Sequence, residues 1–365
     1  MKRFVPILQL PVLLPVLLAA CASPSPPRAA HQVRGSGAPT VVLASGFAMP
    51  RETWQAVADD LSRDFTVVTL DRPGYAGQPD TDRPRDPCTI AADTREALRA
   101  AGLSPPYLLV GHSIGGLYQY TFARLYPNEV SGLVLLDPTH PRNWETLQTA
   151  QPALATALRG VIALQPSQAQ RNEFRQQTQC LERVATTAAL AAPARLLFSR
   201  RYRDAEKDYA PALQTLQTDW KALAGAPSAQ LLWDSGHHIQ TERPDAVGHA
   251  VRDLAGKPGR TTEAPKTVTV GPRSELVLAI GSTRQPAVSA KLGPPDETHR
   301  DGDRTIWVYR APGVRVPMAV SLLPVIGDVA DLVELGQTAV TRHESIIEFD
   351  AQGVVRHARH RPVED

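Results

Sequence analysis

The segment Gly111-His112-Ser113-Ile114-Gly115 is the part of this chain best equipped to do chemistry. A serine hydroxyl is a poor nucleophile at neutral pH, and it reacts only when a sharp turn holds it where a base and hydrogen-bond donors can reach it. The apolar run Tyr107-Leu108-Leu109-Val110 precedes the segment and a helical pattern from Leu117 to Tyr126 follows it. That order predicts strand, turn and helix with Ser113 at the bend. Glycines on both sides supply the room such a bend needs. A further apolar strand, Leu133-Val134-Leu135-Leu136, comes next.

With that context, residues from about Thr40 to Leu254 resemble an α/β-hydrolase-fold enzyme of the esterase and lipase kind. The resemblance implies an α/β architecture, a mostly parallel sheet flanked by helices and carrying a helical cap. Val41-Val42-Leu43 reads as an early strand leading into Ser45-Gly46-Phe47, where many members of the family carry His-Gly-Phe. The family's oxyanion hole uses the backbone N–H after that glycine and the one after the nucleophile, so the resemblance assigns the role to Phe47 and Ile114. Phe65 to Leu70 reads as a strand, and Asp71-Arg72-Pro73-Gly74-Tyr75-Ala76-Gly77 resembles the family's D-x-P-G-x-G turn, with structural glycines. Dehalogenases and epoxide hydrolases share the architecture but use an aspartate nucleophile, which Ser113 disfavours.

The family runs serine, acid, histidine along the chain, which places the base late. Gln230 to Trp233 reads as the last strand, and Asp234-Ser235-Gly236-His237-His238-Ile239 after it resembles the family's S-G-H-x-I segment. His237 is the expected base, with His238 as its alternative. His112 is expected to shape the turn, and His140 and His249 to be structural. Two carboxylates compete for the acid. Asp137 follows the strand that ends at Leu136, and Asp204 follows the strand Arg195 to Phe198. Asp137 is favoured and Asp204 is the alternative; either would hold the imidazole tautomer and stabilise the imidazolium.

Residues 1–20 carry Lys2 and Arg3, an apolar stretch from Phe4 to Leu18, and then Leu18-Ala19-Ala20-Cys21. This is a signal-peptide pattern, and its end resembles a bacterial lipobox, which implies a lipidated Cys21 and anchoring in the bacterial cell envelope, on the outer membrane facing the periplasm. Three prolines interrupt the stretch, which is too short to span a bilayer. An exported compartment permits disulfides, so the remaining Cys88 and Cys180 are expected to pair. The cysteines lack close spacing and the histidines lack a shared helical face, so no metal site is expected, nor any cofactor. A net charge of +2 without a basic stripe argues against nucleic acid.

At 365 residues the chain exceeds what one core usually holds. Residues 21–39 read as a tether, 40–256 as the hydrolase body with a cap at about 138–193, and 257–274 as a linker after which the body would act by itself. Residues 275–365 read as a second, smaller α+β domain, with Ser274 to Leu292 helical, Thr305 to Tyr309 a strand, and Ile346 to Val355 a hairpin. These features resemble the SmpA/OmlA-type outer-membrane lipoprotein domain, departing from it in the apolar insert Val316 to Leu335. The whole implies a lipid-anchored serine hydrolase acting on a small acyl substrate, with an envelope protein as a further partner of the C-terminal domain. The alternatives are a catalytically silent envelope assembly or binding protein on the same scaffold, or a thioester or amide hydrolase.

Overall fold

The computed structural model describes residues 30–202, 207–257, 267–270, 276–310, 314–316 and 339–364. Its apolar runs become the strands of a seven-stranded sheet: β1 (Ala30–Arg34), β2 (Thr40–Ala44), β3 (Thr66–Asp71), β4 (Tyr107–His112), β5 (Val130–Leu136), β6 (Ala194–Ser199) and β7 (Ala229–Leu232). They lie in the order β1-β3-β2-β4-β5-β6-β7, with β1 antiparallel to β3 and the rest parallel. Every residue of β4 is buried, as expected of a parallel strand covered on both faces. Val42, Leu109, Leu133 and Leu196 face one apolar layer, and Val41, Leu108, Val134 and Leu197 face the other. The strand β1 lies within the stretch read as a tether.

The crossovers are helical: α1 (Gln55–Leu61), α2 (Pro87–Ala100) and α3 (Ile114–Leu125) precede β5. Asp86 caps α2, accepting the N–H groups of Cys88 and Thr89, and Pro87 stands where no intrahelical donor is needed. The cap contains α4 (Asn143–Ala150), α5 (Pro152–Ala163), α6 (Gln168–Gln176) and α7 (Leu181–Ala185), whose buried Leu147, Leu158 and Phe174 meet Phe47 and Ile114 of the body. Cys88 of α2 is joined to Cys180 at the head of α7. The body is completed by α8 (Ala210–Leu223), α9 (Ile239–Glu242) and α10 (Pro244–Leu254). None of the described helices is long and apolar enough to cross a membrane.

A separate, small antiparallel region follows, made of β8 (Thr267–Val270), β9 (Leu276–Ala279), α11 (Gln285–Leu292), β10 (Glu297–Asp301), β11 (Arg304–Arg310), β12 (Val314–Val316), β13 (Ala339–Phe349) and β14 (Val355–Glu364). The strand β8 falls inside the stretch read as a linker and pairs with β9. The helical reading of Ser274 to Leu292 needs correction, since Leu276–Ala279 is a strand and the helix starts only at Gln285. Gly281, at φ +82°, breaks the chain between them, and Leu276, Val277 and Leu278 find ladder partners in Val270, Thr269 and Val268. The expected strand and hairpin appear as β11, β13 and β14. Beyond Val316, the apolar insert lies outside the described residues, as do residues 1–20, Cys21 and Asp204.

Candidate active site

The strand β4 ends at a bend that only particular residues allow. Ser113 sits there at φ +53° and ψ −126°, a conformation that is costly for a side-chain-bearing residue. A Cβ on Gly111 would lie 2.5 Å from the carbonyl oxygen of Gly115, and one on Gly115 would lie 2.4 Å from that of Ala44. Both glycines are therefore steric requirements of the turn. The Ser113 N–H donates to the Leu136 carbonyl at 3.0 Å, tying the bend to the neighbouring strand. Five described non-glycine residues have positive φ, and three of them, Ala48, Ser113 and Asp137, stand at this site.

Asp137 follows β5 directly, and its N–H donates to the Leu197 carbonyl of β6. The Ser199 N–H donates to its Oδ1 at 3.0 Å and the Ser199 hydroxyl donates to Oδ2. That Oδ2 lies 3.5 Å from Nδ1 of His237, which comes from the loop after β7. Parallel strands thus deliver the three groups to one sheet edge, the carboxyl ends, where ligands bind in open α/β sheets. Ser113, Asp137 and His237 line one cavity of about 200 Å³; His238 is not part of its wall. His238 instead sets its ring edge-on to His112 at 5.8 Å.

His112 is fully buried beneath the bend. Burial first, and then the neighbouring His237 and His238, push its pKa well below the usual histidine value. The neutral ring donates from Nε2 to the His237 carbonyl at 2.8 Å, because a carbonyl only accepts. The residue before the serine thus holds the backbone of the loop that carries the histidine. On its other side, a Cβ at Gly46 would stand 3.0 Å from His112 Nδ1. That contact accounts for the glycine before Phe47.

Phe47 and Ile114 both line the cavity beside Ser113. The Ile114 N–H is the first of α3, whose first-turn donors have no intrahelical acceptor. Arg72 secures the opposite loop, donating from Nη1 to the Ser45 carbonyl at 2.8 Å and from Nη2 to that of Gly46 at 2.9 Å. Its Nε meets Glu173 of α6 at 3.1 Å; Arg85 Nη2 lies 2.9 Å and the Tyr75 hydroxyl 2.6 Å from the same carboxylate. Burial disfavours the charged forms of Arg72 and Glu173, but their mutual attraction, joined by Tyr75 and Tyr118 for Arg72 and by Arg85 and Tyr75 for Glu173, outweighs it, raising the Arg72 pKa and lowering that of Glu173. Arg72 and Glu173 stand 101 residues apart, so no local sequence pattern could show this network. Ser45, where the family often has histidine, accepts the Trp54 indole N–H at 3.1 Å.

The rest of the wall is largely apolar, with Leu147, Leu154, Leu158 and Phe174 of the cap and Trp220 of α8. His140 adds a polar group. Its Nδ1 accepts the Arg142 N–H at 3.0 Å, and burial, helped by Arg142, pushes its pKa down to about 4. Two groups of potential metal-binding residues occur among the described residues. In one, Cys88 and Cys180 are joined to each other. In the other, Asp234 is engaged by Arg243 and His357.

A family model described as "Alpha/beta hydrolase family" matches residues 41–257. Among curated proteins, the uncharacterized protein YbdG of Bacillus subtilis is 32% identical over 114 residues, 31% of this chain and 35% of that protein. A fluoroacetate dehalogenase of a Burkholderia species is 35% identical over 115 residues, 30% of this chain and 37% of that protein. The chain spans about a third of the length of these relatives. Of solved structures, a putative lipase from Acinetobacter baumannii is similar with a TM-score of 0.44 and 21% identity, covering 60% of this chain and 83% of the other. An epoxide hydrolase from Bacillus megaterium gives a TM-score of 0.49 and 17% identity, covering 63% and 97%. The match over more than half of its length, on a sheet that carries a serine at the bend after β4, makes this chain a member of the alpha/beta hydrolase family.

Proposed function

We propose that this hydrolase cleaves a carboxylic ester, or a related acyl bond, through Ser113, His237 and Asp137. The observation that carries the reading is the strained Ser113 turn opening onto a cavity whose wall also holds His237 and Asp137, 3.5 Å apart. Ser113 Oγ attacks the acyl carbonyl while His237 Nε2 takes the hydroxyl proton, and Asp137, at Nδ1, stabilises the imidazolium. The carbonyl electron pair moves to oxygen, which the N–H groups of Phe47 and Ile114 receive. Collapse expels the alcohol, protonated by His237. Water then attacks the acyl-serine, giving its proton to His237, and releases the carboxylic acid as Ser113 recovers its hydrogen.

The apolar cap wall supports a substrate with a hydrocarbon acyl or alcohol part, which such a surface binds by excluding water. The serine supports acyl chemistry over the halide displacement named for the Burkholderia relative, which in this fold uses an aspartate nucleophile. Cys21 is read as a lipidated anchor that holds the enzyme in the bacterial envelope, with the C-terminal region, similar in pattern to SmpA/OmlA-type domains, facing an envelope partner. A fluorophosphonate probe tests the chemistry: peptide mapping should find the label on Ser113. An unlabelled Ser113 in folded protein would refute the reading.

A further inference from the structure

The loop that carries His237 is held at both ends by the last strand of the chain. We propose that His357 and Arg361 of β14 are positioning residues for the catalytic base, an inference that rests on the reading of Ser113 and His237 given above.

Before His237 in the loop stands Asp234, fully buried. His357 Nε2 lies 2.8 Å from its Oδ2, Arg243 holds Oδ1, and Arg361 donates to its backbone carbonyl. Burial alone would push the Asp234 carboxyl up, but the His357 hydrogen bond and the Arg243 charge hold it far below the usual carboxylate range. After His237 stands Glu242. Arg361 Nη1 lies 3.0 Å from its Oε2, and Arg359 donates to its carbonyl at 2.7 Å. The same Oε2 accepts the N–H of Gly236, the residue before the histidine, at 3.1 Å.

One arginine side chain, itself buried, therefore bridges the two ends of an excursion that has His237 near its middle. Gly236 fits tightly there, since a Cβ on it would come within 2.9 Å of Arg201 Nη2 and 3.0 Å of Glu242 Oε1. Beside the loop, the Trp233 ring stacks on His299 at 4.1 Å and packs against Ile306, Val308 and Ile346 of the C-terminal sheet. Paired buried charges are a poor device for stability alone, because desolvation offsets much of their attraction. Their value here lies in direction: they fix where the backbone on each side of His237 runs. The expectation that residues up to 256 act by themselves is replaced by one in which β14 completes the base's setting.

The test uses the full-length chain and p-nitrophenyl butyrate. His357→Leu and Arg361→Met should each lower kcat by about 10- to 100-fold with KM changed less than about twofold, since displacement of a base slows chemistry more than binding. His357→Gln, which keeps an N–H near Asp234, should recover most of that loss. Arg356→Ala serves as the control, because Arg356 pairs with Asp350 inside its own sheet; it should turn over like the parent. Fluorophosphonate labelling of Ser113 should slow in the same order. Folded His357→Leu and Arg361→Met proteins with the parent's kcat would overturn the proposal, as would an equal loss in Arg356→Ala. If Arg361→Met does not accumulate folded, the contrast between His357→Leu and His357→Gln decides: recovery supports the role and equal losses refute it. A parent protein whose Ser113 takes no label refutes the underlying reading and the positioning role with it, whereas normal labelling in every variant refutes the positioning role alone.

Discussion

Asp137 gains its place through contacts that its sequence neighbours do not foretell. Ser199, 62 residues away, donates both its N–H and its hydroxyl to the carboxylate. Asp137→Asn should therefore cost turnover heavily while leaving the fold intact, by about 10³- to 10⁴-fold in kcat, because the amide no longer fixes the imidazole tautomer. Steady-state kinetics on the purified variant checks this, and near-parent turnover would move the acid elsewhere. The places of Ser113 at the bend and of His237 in the loop after β7 were legible in sequence, because each lies in a short segment whose neighbours are dictated by local sterics. The sequence left Asp137 and Asp204 in competition, since a carboxylate needs only to end up near the histidine. The His112 contact to the His237 carbonyl was invisible, although a role in shaping the bend was expected. His140 predicts a pH effect. Its folded pKa of about 4 lies below the usual histidine value of 6.5, so the unfolded chain takes up a proton first as pH falls. Stability is fully present above pH 6.5 and declines toward pH 4, by about 3 kcal/mol from this group. Urea unfolding at pH 7 and pH 4.5 should show a drop that is smaller in His140→Gln; equal drops would contradict the assignment.

Among the elements, the cap and the loop before Phe47 are joined through buried charge. Glu173 of α6 sits between Arg72 and Arg85, and Arg72 in turn holds the carbonyls of Ser45 and Gly46. Glu173→Gln leaves the buried Arg72 guanidinium without its anion and Arg85 with Asp93 alone, so it should destabilise by about 3–5 kcal/mol. In the folded fraction kcat should fall by about tenfold as the donor at Phe47 loses its setting. Denaturant unfolding and ester kinetics read the two effects separately, and a change below about 0.5 kcal/mol would mean that the network is incidental. The parallel strands β2 to β6 were readable from their largely apolar runs, because a strand covered on both faces has no polar side to interrupt it, whereas the polar edge strand β1 lies within the stretch read as a tether. Leu276–Ala279 was not readable. A short apolar run has no decisive period, and only the partner strand β8 settles its conformation.

At the scale of the whole molecule, the pairing of Cys88 with Cys180 matches the pairing expected from the sequence. The bond spans 92 residues and ties α2 to the cap. Replacing both cysteines with serine should lower stability by about 2–5 kcal/mol, measured by thermal unfolding with and without reductant; an unchanged midpoint would show that the cap is held by packing alone. The antiparallel region was foreseen as a second unit, but its grip on the His237 loop was not. Arg361 and Asp234 are 127 residues apart, and no periodicity links them. Cys21→Ala should release the protein from membranes if Cys21 carries the lipid, which fractionation and mass spectrometry of the mature N-terminus would read.

The central claim is that Ser113 is the nucleophile, and its most direct test is the rate of p-nitrophenyl butyrate hydrolysis by full-length Ser113→Ala beside the parent. With the fold confirmed by circular dichroism, the account predicts a loss of at least about 10³-fold in kcat, with His237→Ala equally impaired and the double variant scarcely worse, since a nucleophile and its base act as a unit. Ser113→Ala that still hydrolyses the ester at the parent's rate would contradict it.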